Sequence, residues 1–476
     1  MPAAADKSVR KPLAVVLAEF AAGARFGDLP AQAIETAKTG IIDCIGVAVA
    51  GHAQPPVQIL REELFTSTAA GAAGILGFWG RLRTTPANAA WINGTAGHVL
   101  DYDDIARGHP SVAIVPAILA VGEEINASGA DLIAAYVVGY EVWMDLMLRE
   151  RGSYQEKGWH HTPMLGAVAA TAACANLQRL DAAQTTHAFG IAASQASGIV
   201  ANHGTMMKSV QVGKTGHNAV LAARLARAGM TASPDALDDE RGFLKAISPA
   251  GDVDLESPDR LGIDWHICKH GLSIKRYPVC YRAHRLIDAT LGVLEREPLD
   301  CDCIALITAS IGKLDATILL NHSPASGLAA KFSAEFAIAC AMLGGNVGLL
   351  QVTDDFVRRK DVQDLMRKVR VVTNENYDPE APGFSMYDQV RISFRDGRVV
   401  ESEKVRHALG HPRRPLASAA LKGKFLDCMA AGKAEIDGER MFQDLTRLES
   451  LTHFCGFDRY AASFVSKAAA SKSLSS

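Results

Sequence analysis

Apolar residues recur at helical spacing through roughly the first 230 positions and again near the C-terminal end, and alternate at strand spacing only in a stretch between. Residues 30–51 open on Pro30 and close on Gly51, the residues that helix termini prefer. Further helical runs fall at 85–100, 112–127, 131–150, 162–177, 181–197 and 215–230. Asp131 and Asp181 each follow a short break and suit the N-cap position. The run GAVAATAACA at 166–175 consists almost wholly of small side chains, which let helix axes approach closely. The pattern predicts a compact bundle.

After about Lys269 the period changes. Residues 304–310 form a β-branched run, 368–372 alternate, and 389–394 read QVRISF. Arg395-Asp396-Gly397-Arg398 then separates that run from a second at 399–403, and a strand, an Asp-Gly turn and a strand make a hairpin. The predicted fold class is therefore mainly α, with a large multi-helical domain plus a smaller α+β domain. The first is assigned to 1–268 and 413–465, the second to 269–412, and 466–476 is expected to be a disordered tail. A chain of 476 residues is long for a single core, which agrees with this division.

Composition narrows the function. With a net charge of -3 the chain has no global basic field for nucleic acid, so an anionic ligand must be held by a local cluster of cations. No apolar run approaches the ~18 residues that span a bilayer, and the first residues lack the apolar segment of a signal peptide. The nine cysteines follow no framework spacing and read as reduced thiols, which suggests a cytoplasmic location. Cys301 and Cys303 are close enough for one face of a strand, but no second pair follows to complete a metal site. Gly213-Lys214-Thr215 imitates the end of a phosphate loop, yet Lys208 stands where that loop needs glycine. Neither HExxH nor G-x-S-x-G occurs.

Four segments carry candidate chemistry. Residues 98–111 hold His98, Asp101, Asp103, Asp104, Arg107 and His109 between two apolar helical runs. If the first helix continues through Asp101, His98 and Asp101 share a face at i, i+3. His109 then opens the next helix, where backbone amides favour anions. A capped polar loop and a magnesium site on the three aspartates are the competing readings. The second segment is GWHHT at 158–162, where adjacent histidines point apart, so one at most serves a site. The third is GTMMKSVQVG at 204–213, a glycine-punctuated stretch before a helix, with Lys208 either reaching solvent or pairing with an anion. The fourth, IKRYPVCYRAH at 274–284, is rich in cations at the expected domain junction, where small-ligand pockets tend to lie.

Together these segments resemble the MmgE/PrpD family, which includes 2-methylcitrate dehydratase, cis-aconitate decarboxylase and iminodisuccinate epimerase. GIIDCIGVAVAG, NGTAGHVLDYDD, GHPSVAIVPAILA, FGIAASQASG and AKFSAEF match as well, in family order and across nearly the whole chain. The resemblance implies a homodimer with no metal or organic cofactor, a site between the domains, and a small carboxylate as substrate. It places catalytic residues at Asp101, His109, His160 and Lys208 and a substrate contact at Lys275. Arg107, Thr205 and Tyr277, in or beside the same motifs, are further candidates for substrate contact. It implies a lyase of the dehydratase or decarboxylase type, with an epimerase or a non-catalytic member as the alternatives. Lys208 and Lys275 would hold carboxylates, His109 and His160 would move protons, and Asp101 would orient a histidine. Two positions depart from the lyase pattern: Phe336 stands for tyrosine and Ile105 for threonine. Both changes are expected to remove a hydrogen-bonding group from the pocket and to favour a different substrate. The residues from Ala106 to His109, and AKFSAE, look closer to the epimerase branch.

Overall fold

The computed structural model describes residues 11–64, 71–78, 82–256, 258, 260–379 and 381–461. The expected tail at 466–476 lies outside these residues. The chain divides into two compact units, one of residues 1–99, 103–272 and 421–476, the other of 100–102 and 273–420. The protein is mainly α, with strands concentrated in the second unit.

The helices of the first unit include α1 (Leu13–Gly23), α2 (Ala31–Gly51), α3 (Pro55–Leu64), α4 (Pro86–Val99), α5 (Pro110–Ile125), α6 (Gly129–Leu148), α7 (His161–Leu177), α8 (Ala182–Gln195) and α9 (Met207–Arg227), and the chain returns to it with Ser418–Ala431 and Gly438–Thr446. β1 (Ala73–Gly74) and β2 (Arg83–Thr84) form a small antiparallel ribbon beside them. α5, α6 and α7 are buried nearly all round, which explains why the alanine-rich runs show no polar face. α4 packs closely on α9 because both carry glycine at the crossing: a Cβ on Gly213 would lie 2.3 Å from Thr95 Oγ1.

Several expected boundaries shift for identifiable reasons. α9 starts at Met207, well before residue 215, because Gly213 is a packing glycine inside a helix and not a break before one. The N-cap of α6 is Ser128, and Asp131 is its partner three residues on in a capping box. Asp181 caps α8 as the pattern predicts, accepting from the Gln184 amide. α1 and α3 were not anticipated by the periodicity.

In the second unit, β3 (Ile304–Gly312) and β4 (Val369–Asn374) pair in parallel, with a ribbon of β5 (Tyr377–Asp378) and β6 (Ala381–Ser385) following. β7 (Gln389–Phe394) lies antiparallel to β3 and forms the expected hairpin with β8 (Val399–Glu401), giving the order β4-β3-β7-β8. The helices His284–Arg296 and Ala334–Gly344 share a core with Ile307, Ile311, Val390 and Ile392. Phe336 is fully buried in this core, edge-on to Phe356. Its departure from tyrosine is thus met by apolar packing, which weakens it as a clue to substrate. Cys301 and Cys303 sit in a 3₁₀ turn before β3, and the Cys303 thiol donates to Asp300. All nine cysteines are free thiols. No helix among the described residues is long and apolar enough to cross a membrane.

A deeply buried ion pair lies in the first unit: Lys424 Nζ is 2.6 Å from Asp43 Oδ1, with both side chains almost fully shielded. Removing one partner strands a charge. Lys424→Met is expected to lower unfolding stability by roughly 3 kcal/mol in urea titrations, and the Asp43→Asn/Lys424→Met pair to recover most of it. A single variant as stable as the wild type would show that the pair contributes nothing.

Candidate active site

Three helix N-termini in the first unit deliver chemistry-bearing side chains. His109 is the N-cap residue of α5, followed by Pro110 at the first helical position. His160 is the N-cap residue of α7. Lys208 lies in the first turn of α9. Neither histidine uses its ring to cap its helix, so both imidazoles remain available to other partners.

The loop between α4 and α5 sets the position of His109. Arg107 adopts a left-handed backbone, φ 60°, a conformation that costs a non-glycine residue of order 1 kcal/mol or more. The turn is held closed by the Ala106 amide, which donates to Gly108 O at 2.8 Å. Trp143 Nε1 of α6 donates to Ala106 O at 2.9 Å, and His161 Nε2 donates to Arg107 O at 3.0 Å. His161 therefore buttresses the loop while its neighbour His160 faces the site. The Arg107 side chain is exposed.

The carboxylate that organises the site is Asp103. It is fully buried, and its Oδ2 receives His98 Nδ1 at 2.9 Å and His109 Nδ1 at 3.0 Å. His109 Nδ1 also lies 2.9 Å from Asp104 O, a second pure acceptor. Nδ1 must carry a proton on both rings, so in the neutral tautomer the lone pair lies on Nε2. Burial alone would raise the Asp103 carboxyl, but His109 and His98 more than offset it and hold it well below the usual carboxylate range. Burial drives His98 the other way, to about 4, with Asp103 opposing and Lys208 assisting, so His98 is neutral at neutral pH. Its Nε2 is buried and has no hydrogen-bond partner among the described residues.

The imidazoles form a row. The His98 ring centroid lies 4.7 Å from His109 and 6.2 Å from His160, and His160 lies 4.6 Å from His203. Burial, reinforced by His98, His203, His161 and Lys208, holds His160 well below its ordinary value. Gln211 Nε2 meets His160 Nδ1 at 2.7 Å. Asp104, next in sequence to Asp103, behaves oppositely: burial and the nearby Asp43 charge raise it well above the carboxylate range, although Ser111 Oγ donates to its Oδ2.

In the second unit, residues 100–102 form a short strap. Lys275 Nζ donates to Asp101 O at 2.6 Å and lies 3.1 Å from its Oδ2. Lys331 Nζ donates to Leu100 O at 2.8 Å, and Tyr102 OH to Arg276 O at 3.1 Å. α4 ends at Val99 and Asp101 is left-handed, φ 53°, so the helical pairing of His98 with Asp101 does not form; Asp103 takes that role. Tyr277 OH donates to Asp288 Oδ1 at 2.7 Å. Thr205 occupies an exposed turn, donating to Asn202 O at 2.9 Å. His98, Asp103, Gln211 and Lys331 were not singled out as site residues from sequence. Asp103 was hidden among three aspartates, and an amide such as Gln211 carries no motif.

A mainly α protein that gathers imidazoles and a lysine around one dry carboxylate is equipped for acid–base chemistry on an anion. The N-terminal domain of the MmgE/PrpD family matches residues 15–256 and its C-terminal domain matches 277–447. The chain belongs to this family and is an enzyme of its lyase type. Cis-aconitate decarboxylase of Homo sapiens is 27% identical over 422 residues, covering 85% of each chain. That of Aspergillus terreus (strain NIH 2624 / FGSC A1156) is 27% identical over 449 residues, 88% of this chain and 90% of the other.

Asp103→Asn removes the charge that supports a protonated His109. On whichever substrate the enzyme turns over, kcat is expected to fall about 10²-fold or more with KM little changed. An unaltered kcat in a variant that melts like the wild type would reduce Asp103 to a structural role.

Proposed function

We propose that the protein is a cofactor-independent lyase that acts on a small di- or tricarboxylate, breaking a bond next to a carboxylate by loss of CO2 or of water. The observation that carries this reading is the grouping, within one unit, of the neutral His98 imidazole on the buried Asp103 carboxylate with Lys208, whose charge is felt by both His98 and His160.

Breaking a bond beside a carboxylate puts electron density onto a group that already bears charge. Fixed positive charge where that density develops lowers the barrier, and such preorganisation is often the largest single contribution to catalysis. Lys208 supplies it, backed by the amide ends of α5, α7 and α9. If CO2 leaves, its bonding pair stays on carbon and is quenched by a proton from an imidazole. If water leaves, one imidazole takes the proton from carbon and another protonates the departing hydroxyl. His109 and His160 are the residues assigned to this traffic.

The relatives' substrate is the first to test. Purified enzyme is offered cis-aconitate, then other tri- and dicarboxylates, in deuterated water, with CO2 release and unsaturated acids followed directly. Release of CO2 or formation of a new alkene is expected, and Lys208→Ala is expected to raise KM about tenfold while also lowering kcat. Deuterium uptake with inversion and no change in bonding would make the protein an epimerase instead. No turnover of any carboxylate, with no ligand-induced rise in melting temperature, would reject the proposal.

A further inference from the structure

We infer that Gln211 is a positioning residue that fixes His160 as its Nε2–H tautomer, so that His160 presents a hydrogen-bond-donating N–H to the reacting group and His109, fixed by Asp103 as Nδ1–H, presents the lone pair that accepts a proton. This rests on the proposed reading of the two histidines as the groups that move protons, and it goes beyond that reading by giving each a direction.

The orientation of the Gln211 amide decides the argument. Its Oε1 receives the Ile199 amide at 3.2 Å, and its Nε2 donates to Ile199 O at 3.2 Å. Turning the amide over would set NH2 against N–H and oxygen against oxygen, so backbone pairing to one residue forbids the flip. The second Nε2 hydrogen then points at His160 Nδ1, 2.7 Å away. Nδ1 must accept, so the neutral ring carries its proton on Nε2. The His160 backbone is fixed as well, its amide donating to Gly198 O at 3.1 Å. His109 is set the other way by two acceptors, Asp103 Oδ2 and Asp104 O, on its Nδ1.

Two histidines whose side chains look equivalent in sequence thus present opposite faces: a lone pair at His109 Nε2 and an N–H at His160 Nε2. A proton removed from substrate goes to the first, and the charge that develops on product or leaving group meets the hydrogen-bond-donating N–H of the second. The charged and titratable groups around His160 are His98 from α4, His161 of its own helix, His203 and Lys208 of α9. None of these is an anion. Gln211→Glu would introduce one, keep an oxygen for the Ile199 amide, and turn His160 Nδ1 from acceptor to donor.

The tautomers can be read without substrate. Nitrogen-15 histidine spectra of the ligand-free enzyme, assigned with His109→Asn and His160→Asn, are expected to show His160 protonated on Nε2 and His109 on Nδ1. Gln211→Glu is expected to move the His160 proton to Nδ1. Its Nε2 is then a donor only in the cationic ring, so activity acquires a basic limb: kcat at pH 8 is expected to fall about 10²-fold relative to wild type, less at pH 6, with KM nearly constant. Gln211→Met, which lacks the donor without adding charge, is expected to give mixed tautomers and no new limb. Wild-type His160 protonated on Nδ1 would overturn the inference even if no variant folds. So would a Gln211→Glu enzyme with wild-type spectra and pH profile. Failure to find a substrate would count against the proposed lyase and leave the spectra as an independent test.

Discussion

The carboxylate of Asp103 lies in the dry interior of the helical unit with two imidazole N–H groups on one of its oxygens. An ionised carboxylate in such a place is costly unless it is well partnered. Here the partners are the rings that the site needs, so the same contacts that hold the charge also fix ring orientation and tautomer. Much of the local backbone serves this contact. Between the end of α4 at Val99 and the start of α5 at Pro110, the chain must place Asp103 between His98 and His109. It does so through left-handed residues at 101 and 107, clamped by Trp143 and His161.

Asp104 shows how much depends on the partner and how little on residue type. It is one residue on and equally buried, but it meets a hydroxyl and a second acidic side chain where Asp103 meets two imidazoles. Its carboxyl is pushed up while that of Asp103 is pulled down. Neighbouring titratable groups driven in opposite directions are a mark of acid–base sites. The buried Lys424 beside Asp43 adds a positive charge near this cluster, and it comes from a helix more than three hundred residues away in the chain.

Periodicity revealed most of the architecture, because long buried helices and an Asp-Gly hairpin impose patterns that survive without tertiary knowledge. It failed where a residue's role depends on what crosses it. Gly213 looks like punctuation until α4 is seen lying against it. His98 and Asp101 look like an i, i+3 pair until the helix stops between them. The motif residues His109, His160 and Lys208 all lie at helix starts in one unit. The supporting residues were less legible. Asp103 was one aspartate of three, and Gln211 is informative only once Ile199 is seen fixing its amide. Phe336 misled in the other direction, since a departure read as a change of pocket lies in an apolar core.

The division of labour between lysine and histidine follows from the same burial. Desolvation keeps His98 and His160 neutral, and the charge on Lys208 pushes both further in that direction. In the proposed reaction Lys208 supplies the fixed charge that an anion requires, and it adds to the burial that keeps His98 and His160 neutral. Removing the cation would weaken anion binding and at the same time let the imidazoles drift toward their charged forms.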